Sequence, residues 1–295
     1  MRRPSTRWAG VFGLLLGVTL SWATPLAVAQ EATPVAVAPP QDLLPAIADY
    51  GRGQTATIND VALYYEVYGE GKGDPVVLLH SGLGNGDYFV NQIPPLAEQH
   101  EVVVMDSRGH GRSSFDDTPI SYELMASDVV ALMDHLGIDK ASIVGWSDGG
   151  IIGLELAIHH PERLNKVVAY GANFDPTGVR LDINENAYWN AFVERDAQDY
   201  QKLSPHPERW EEFLENISHM WATEPNYSEE QLGSITTPIL ILDGAKEEAI
   251  DLNQTKLMAL LIPGAELVII PDTGHFAMME KPEEFNRIVL DFLGS

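Results

Sequence analysis

Six apolar runs punctuate the chain, at 75–80 (PVVLLH), 101–106 (EVVVMD), 141–146 (ASIVGW), 165–170 (NKVVAY), 238–243 (PILILD) and 266–271 (ELVIIP). They lack polar alternation, which predicts strands buried on both faces. Between them, apolar positions recur at helical spacing over 122–136, 151–159, 252–261 and 282–293, which predicts amphipathic helices. Ahead of the first run, 55–59 and 61–68 read as two strands turning at Asn59-Asp60, an antiparallel hairpin. Strands alternating with helices imply an α/β domain over 51–295, with a mostly parallel sheet and helices on both faces.

One interval breaks this rhythm. From about 174 to 234 no buried-strand pattern occurs, and polar stretches carry Tyr188, Trp189, Phe192, Tyr200, Trp210, Phe213 and Trp221. A block of that size between two sheet strands predicts a helical cap insertion over the carboxyl edge, where open α/β sheets bind ligands. Most of its aromatics would form the cap's own core, and the rest would line a pocket.

The first residues follow another logic. Arg2, Arg3 and Arg7 accompany an apolar run over 8–20, and Ala27-Val28-Ala29 offers a small-x-small cleavage site. These features predict a signal peptide over 1–29 and an exported mature chain, periplasmic or extracellular. An uncleaved anchor is the alternative, because no charge occurs between Trp8 and Gln30. Residues 30–50, rich in Ala and Pro, predict a flexible linker.

Composition narrows the function classes. With 45% hydrophobic residues the chain can bury a large core, so disorder is not expected. There is no cysteine, which removes disulfides, thiolate metal sites and lipidation through sulfur. A net charge of −25 repels nucleic acid and anionic membranes. No cofactor or metal is expected, and no membrane association once the leader is cleaved.

The chemistry concentrates at Gly145-Trp146-Ser147-Asp148-Gly149, a G-x-S-x-G motif. In a tight strand-to-helix turn, side chains two residues either side of the serine would clash. By chance about one serine in two hundred has such flanks. Here a strand pattern precedes the motif and a helix pattern follows it, which makes Ser147 the candidate nucleophile. Asp148 cannot take that place, since Trp146 and not glycine stands two residues before it.

A serine nucleophile needs a base, and the base an orienting acid. His275 follows the last predicted strand and precedes the last helix, so it is the candidate base. His80 ends a strand and is expected to brace the neighbouring loop. For the acid, Glu247 stands three residues past Gly244 in the loop after PILILD, with Glu248 and Asp175 as alternatives, while Asp243 is expected to lie still in the strand. Oxyanion donors are expected from the amides of Asp148 and of Gly82, with Leu83 next to Gly82.

HSGLG (80–84), DSRGHGRSS (106–114), GWSDGG (145–150) and TGHF (273–276), in this order, resemble the α/β-hydrolase superfamily. The likeness spans roughly 55–293 without the cap. GWSDGG followed by YGAN resembles the biphenyl-hydrolase-like group, whose members include valacyclovir hydrolase. The resemblance implies an α/β-hydrolase fold, and a structural role for His110 and Ser113 in the D-x-R-G-x-G-x-S turn. It also implies that the Asp148 carboxylate reads a substrate amine. Departing from the usual pattern, the acid is a glutamate, and the cap matches the group poorly.

The expected activity is hydrolysis of a small carboxylic ester or lactone by Ser147, His275 and Glu247, with Asp148, Leu83 and Trp146 touching substrate. Two alternatives stay open. One is amide or carbon–carbon bond cleavage by the same triad, and the other is ligand binding without turnover. The oligomeric state is not legible.

Overall fold

The computed structural model describes residues 53–294. The expected signal peptide and linker lie outside the described residues.

The chain runs through β1 (Gln54–Ile58), β2 (Val61–Tyr68), β3 (Val76–Leu79), α1 (Ile93–Ala97), β4 (Val102–Met105), α2 (Tyr122–Leu136), β5 (Ala141–Trp146), α3 (Asp148–His159) and β6 (Leu164–Tyr170). It continues through α4 (Ala187–Leu203), α5 (Trp210–Thr223), α6 (Glu229–Gly233), β7 (Ile239–Gly244), α7 (Leu252–Leu261), β8 (Glu266–Ile270), α8 (Ala277–Glu280) and α9 (Pro282–Gly294). The strands form one eight-stranded sheet in the order β1-β2-β4-β3-β5-β6-β7-β8. β1–β2 and β2–β4 pair antiparallel, and all later pairs are parallel.

The unbroken apolar runs have a direct physical cause. Every residue of β3, β4, β5 and β7 is buried, because successive side chains enter two different cores. Val77, Leu79, Val103, Met105 and Ile143 pack under α2 and α3. Val76, Leu78, Val102, Val104, Val144 and Trp146 pack on the other face with α1 and α9. Fully burying one such aliphatic side chain contributes about 1.5–3 kcal/mol. The outermost strands β1 and β8 keep exposed positions.

Helix ends are set locally. Ser121 Oγ accepts from Leu124 N at the start of α2, and Gly137 closes that helix at φ 72°. Between β6 and β7 the sheet is interrupted by α4, α5, α6 and three short 3₁₀ turns, and no strand is found there among the described residues. Phe192, Tyr200 and Phe213 are buried in this insertion, while Trp189 and Trp221 face a cavity above β5.

Candidate active site

Ser147 sits where β5 turns into α3, with φ 55° and ψ −116°, a backbone region that non-glycine residues rarely adopt. The flanking glycines make the turn possible. A Cβ on Gly145 would lie 2.1 Å from Gly149 O, and one on Gly149 would lie 2.0 Å from Leu79 O. The turn is pinned to the next strand by Ser147 N donating to Tyr170 O at 2.7 Å.

His275 reaches the same strand end from the loop after β8. Gly171, at φ +60°, leaves room for its ring, since a Cβ there would lie 2.9 Å from His275 Cε1. Trp146 buttresses the loop from below, donating Nε1–H to His275 O at 2.9 Å. His275 Nδ1 faces both oxygens of Glu247, at 2.9 Å from Oε1 and 3.0 Å from Oε2. With the proton assigned to Nδ1, Nε2 is left as the acceptor. Nε2 is buried and finds no hydrogen-bond partner among the described residues. Burial holds the imidazole below its ordinary value of 6.5, with Glu248, Asp243, Asp148 and Glu280 pulling the other way.

Glu247 is itself fixed by the backbone. Its Oε1 accepts from Ala249 N at 2.6 Å and Ile250 N at 3.0 Å. Glu248 plays a different part, as its Oε2 accepts the backbone N–H of His275 at 2.9 Å. Asp175 lies apart from the histidine and caps a turn through Thr177 N at 2.8 Å. Asp243, next to last in β7, is fully buried, with Thr255 Oγ1 donating to its Oδ2 at 2.7 Å.

The loop after β3 closes over the turn that carries Ser147 and Asp148. A Cβ on Gly82 would lie 2.5 Å from both Asp148 Oδ2 and Trp221 Cζ2, so only glycine lets this loop approach the elbow. His80 holds the loop through both ring nitrogens. Its Nδ1–H donates to Ser81 O at 2.7 Å, and its Nε2 accepts from Ser107 N at 2.9 Å. His110 packs beside it with ring centroids 5.0 Å apart, and Ser113 Oγ donates to Asp106 O at 2.6 Å. Both belong to the turn that supports this loop.

Ser147 and Asp148 open into a cavity of about 340 Å³, walled by Trp189, Trp221, Ile183 and Ile250 among others. Two expected substrate contacts are revised here. Leu83 turns its side chain into the α2–α3 core at φ 64°, and Trp146 is wholly buried on the opposite sheet face. Neither lines the cavity. Asp148 does line it, with its carboxylate tied down by two donors. Tyr122 O–H donates to Oδ1 at 2.9 Å, and Trp221 Nε1–H to Oδ2 at 2.9 Å. Burial pushes this carboxyl up to about 6, against the pull of those two donors. Tyr122 and the cavity residue Glu224 were not legible as site residues, and Trp221 was legible only as one of seven cap aromatics, because α2 and the cap meet Asp148 only in the folded chain. Among the described residues no group of three or more His, Asp or Glu could hold a metal ion.

A crossover sheet with a nucleophile-elbow geometry at β5 and a histidine after β8 defines an α/β hydrolase. The alpha/beta hydrolase fold family matches residues 74–205. The chain is 31% identical to the putative carbamate hydrolase RutD of a Caulobacter species, over 81% of this chain and 98% of that one. It is 30% identical to the human serine hydrolase BPHL, over 80% of this chain and 84% of that one. Among solved structures it resembles an N-acyl homoserine lactone degrading enzyme, with 30% identity and a TM-score of 0.65 over 81% of this chain and all of that one. The chain belongs to the alpha/beta-hydrolase family, and it is a hydrolase of that fold.

Proposed function

We propose that this protein is an exported serine hydrolase that cleaves small carboxylic esters or lactones through an acyl-enzyme intermediate. The observation that carries this reading is the Glu247–His275 pair, with Nε2 unpartnered at the strand end that also pins Ser147. Ser147 Oγ attacks the substrate carbonyl carbon while His275 Nε2 takes its proton. Glu247 holds the imidazolium through Nδ1–H. The tetrahedral oxyanion is held by two backbone amides, from Gly82 and from Asp148, the first residue of α3, whose N–H has no intrahelical acceptor. Collapse expels the alkoxide, which takes the proton from His275. Water, deprotonated by His275, then cleaves the acyl-Ser147 ester and releases the acid.

A fluorophosphonate probe tests the nucleophile and the export together. Labelling of Ser147 in protein recovered outside the cytoplasmic membrane supports the proposal, and an unlabelled serine leaves a binding protein. A panel of ester, lactone and amide substrates separates the bond types. The expected pH dependence follows from His275. The neutral imidazole is the base and burial lowers it, so kcat/KM is present at neutral pH and is lost with one proton at a pH below the ordinary imidazole range. An optimum at pH 4–5 would contradict a histidine base.

The cavity also carries a charge preference. Asp148 and Glu224 line it, and no Lys, Arg or His does among the described residues. Asp148 is held only by neutral donors, which leaves a buried negative charge without a counter-ion. This supports a substrate with a protonated amine. Asp148→Asn is expected to lower kcat/KM for α-amino esters by about 10–150-fold and to change simple acyl esters little. The preference should fade as pH falls through about 6, where Asp148 takes up a proton. The ratio of the two kcat/KM values cancels His275. An equal loss on both ester types would show that Asp148 serves only to fasten Trp221 and Tyr122.

A further inference from the structure

The loop that carries Glu247 is fastened to the segment by which the chain enters the cap. Glu247 Oε1 takes the amides of Ala249 and Ile250. The remaining backbone groups of the same stretch pair with residues 178–180, where Val179 stands opposite Ile250 in an antiparallel bridge. Arg180 N donates to Ala249 O and Asp251 N donates to Gly178 O, both at 2.8 Å.

The start of α7 completes this junction in an unusual way. Asp251 is the N-cap, accepting from Asn253 N at 2.9 Å, and Gln254 is the third helical residue. In a capping box that third side chain returns to the N–H of the cap residue, as Gln231 does to Ser228 N in α6 at 2.9 Å. In α7 the cap N–H goes to Gly178 O instead. The buried Gln254 side chain turns outward from its own helix, its Oε1 accepting Phe174 N at 3.0 Å and its Nε2 facing Thr177 Oγ1 at 3.4 Å. The fit is close, since a Cβ on Gly178 would lie 2.3 Å from Gln254 Oε1. Both groups that could have closed the helix on itself are committed to the cap's entry segment.

Resting on the triad reading above, we propose that Gln254 is a positioning residue, which fixes Glu247 against His275 by fastening residues 174–180 to the acid loop. Gln254 holds Phe174, and the bridge carries that hold from Gly178 and Arg180 to Asp251 and Ala249. The amides of Ala249 and Ile250 then aim the carboxylate. Val179, Ala249 and Ile250 also wall the substrate cavity, whereas Gln254 does not. The orientation of the acid is thereby tied to the placement of the cap.

The test is a kinetic cycle on a simple acyl ester, with Gln254→Met and Gly178→Ala each made in the parent and in Glu247→Gln. Methionine keeps the length of the side chain and removes its amide. Alanine at 178 drives a methyl group into Gln254 Oε1. In the parent, each change is expected to lower kcat by about tenfold, because small displacements of a catalytic group are costly in rate. In the Glu247→Gln background the same changes should cost less than about twofold, because the carboxylate they place is already gone. A residue needed only for folding would lower the active fraction by the same factor in both backgrounds. Equal losses in the two backgrounds would therefore overturn the proposal, as would an unchanged kcat in the parent. If Gln254→Met does not fold, the Gly178→Ala cycle decides alone. Full turnover in Glu247→Gln removes the triad reading and this proposal with it. A crippled Glu247→Gln beside equal losses removes only the role of Gln254.

Discussion

Ser147→Ala and His275→Ala are each expected to lower kcat by about 10⁴–10⁶-fold, with the double variant little worse than either single one. Without Oγ there is no atom to form the acyl bond. Without the imidazole, Oγ–H keeps its proton and remains a weak nucleophile. Because the two side chains act on one proton transfer, removing the second after the first costs little more. What activity survives would come from the oxyanion donors and from substrate binding. Ser147 is held through its backbone N–H to Tyr170 O, a bond that alanine keeps, so the fold should persist in Ser147→Ala. Circular dichroism and thermal melting verify this before rates are compared. Losses that multiply in the double variant would show that the residues act in separate steps, and the assigned roles would fall.

The second large effect is expected at Glu247. Glu247→Gln should cost about 10²–10⁴ in kcat, because a neutral amide does not stabilise the imidazolium and can hold the wrong tautomer. The adjoining Glu248→Gln is expected to change kcat far less. Glu248 meets the backbone N–H of His275, and a glutamine carbonyl oxygen accepts that bond equally well. The comparison has a built-in control, since both changes remove one negative charge from the surroundings of the same imidazole. If Glu248→Gln proves the more damaging, the orienting acid is the wrong one of the two. If neither matters, His275 is oriented by some other group.

How far the site could be read from sequence depended on how local its cause is. The strands were legible because β3, β4, β5 and β7 bury both faces, and burial on both faces forbids polar alternation. Ser147 was legible because the turn's steric demand falls on Gly145 and Gly149, two positions away in sequence. Glu247 and Glu248 differ by one residue, and the spacing from Gly244 favoured Glu247 but left Glu248 open. The amides of Ala249 and Ile250 hold one carboxylate toward Nδ1, while the N–H of His275 takes the other.

The chain order of strands, elbow and histidine loop was determined by the sequence alone, because main-chain sterics and side-chain burial leave their mark within a few residues. What the cavity wall is made of was decided by the tertiary structure. Leu83 and Trp146 adjoin Gly82 and Ser147 in sequence, yet both face cores, since a φ of 64° and the alternation of β5 aim them away. The Asp148 carboxylate instead meets Tyr122 from α2 and Trp221 from α5, which lie 26 and 73 residues away. Contacts of this kind depend on which helices and loops the sheet brings together, and no spacing along the chain encodes that directly.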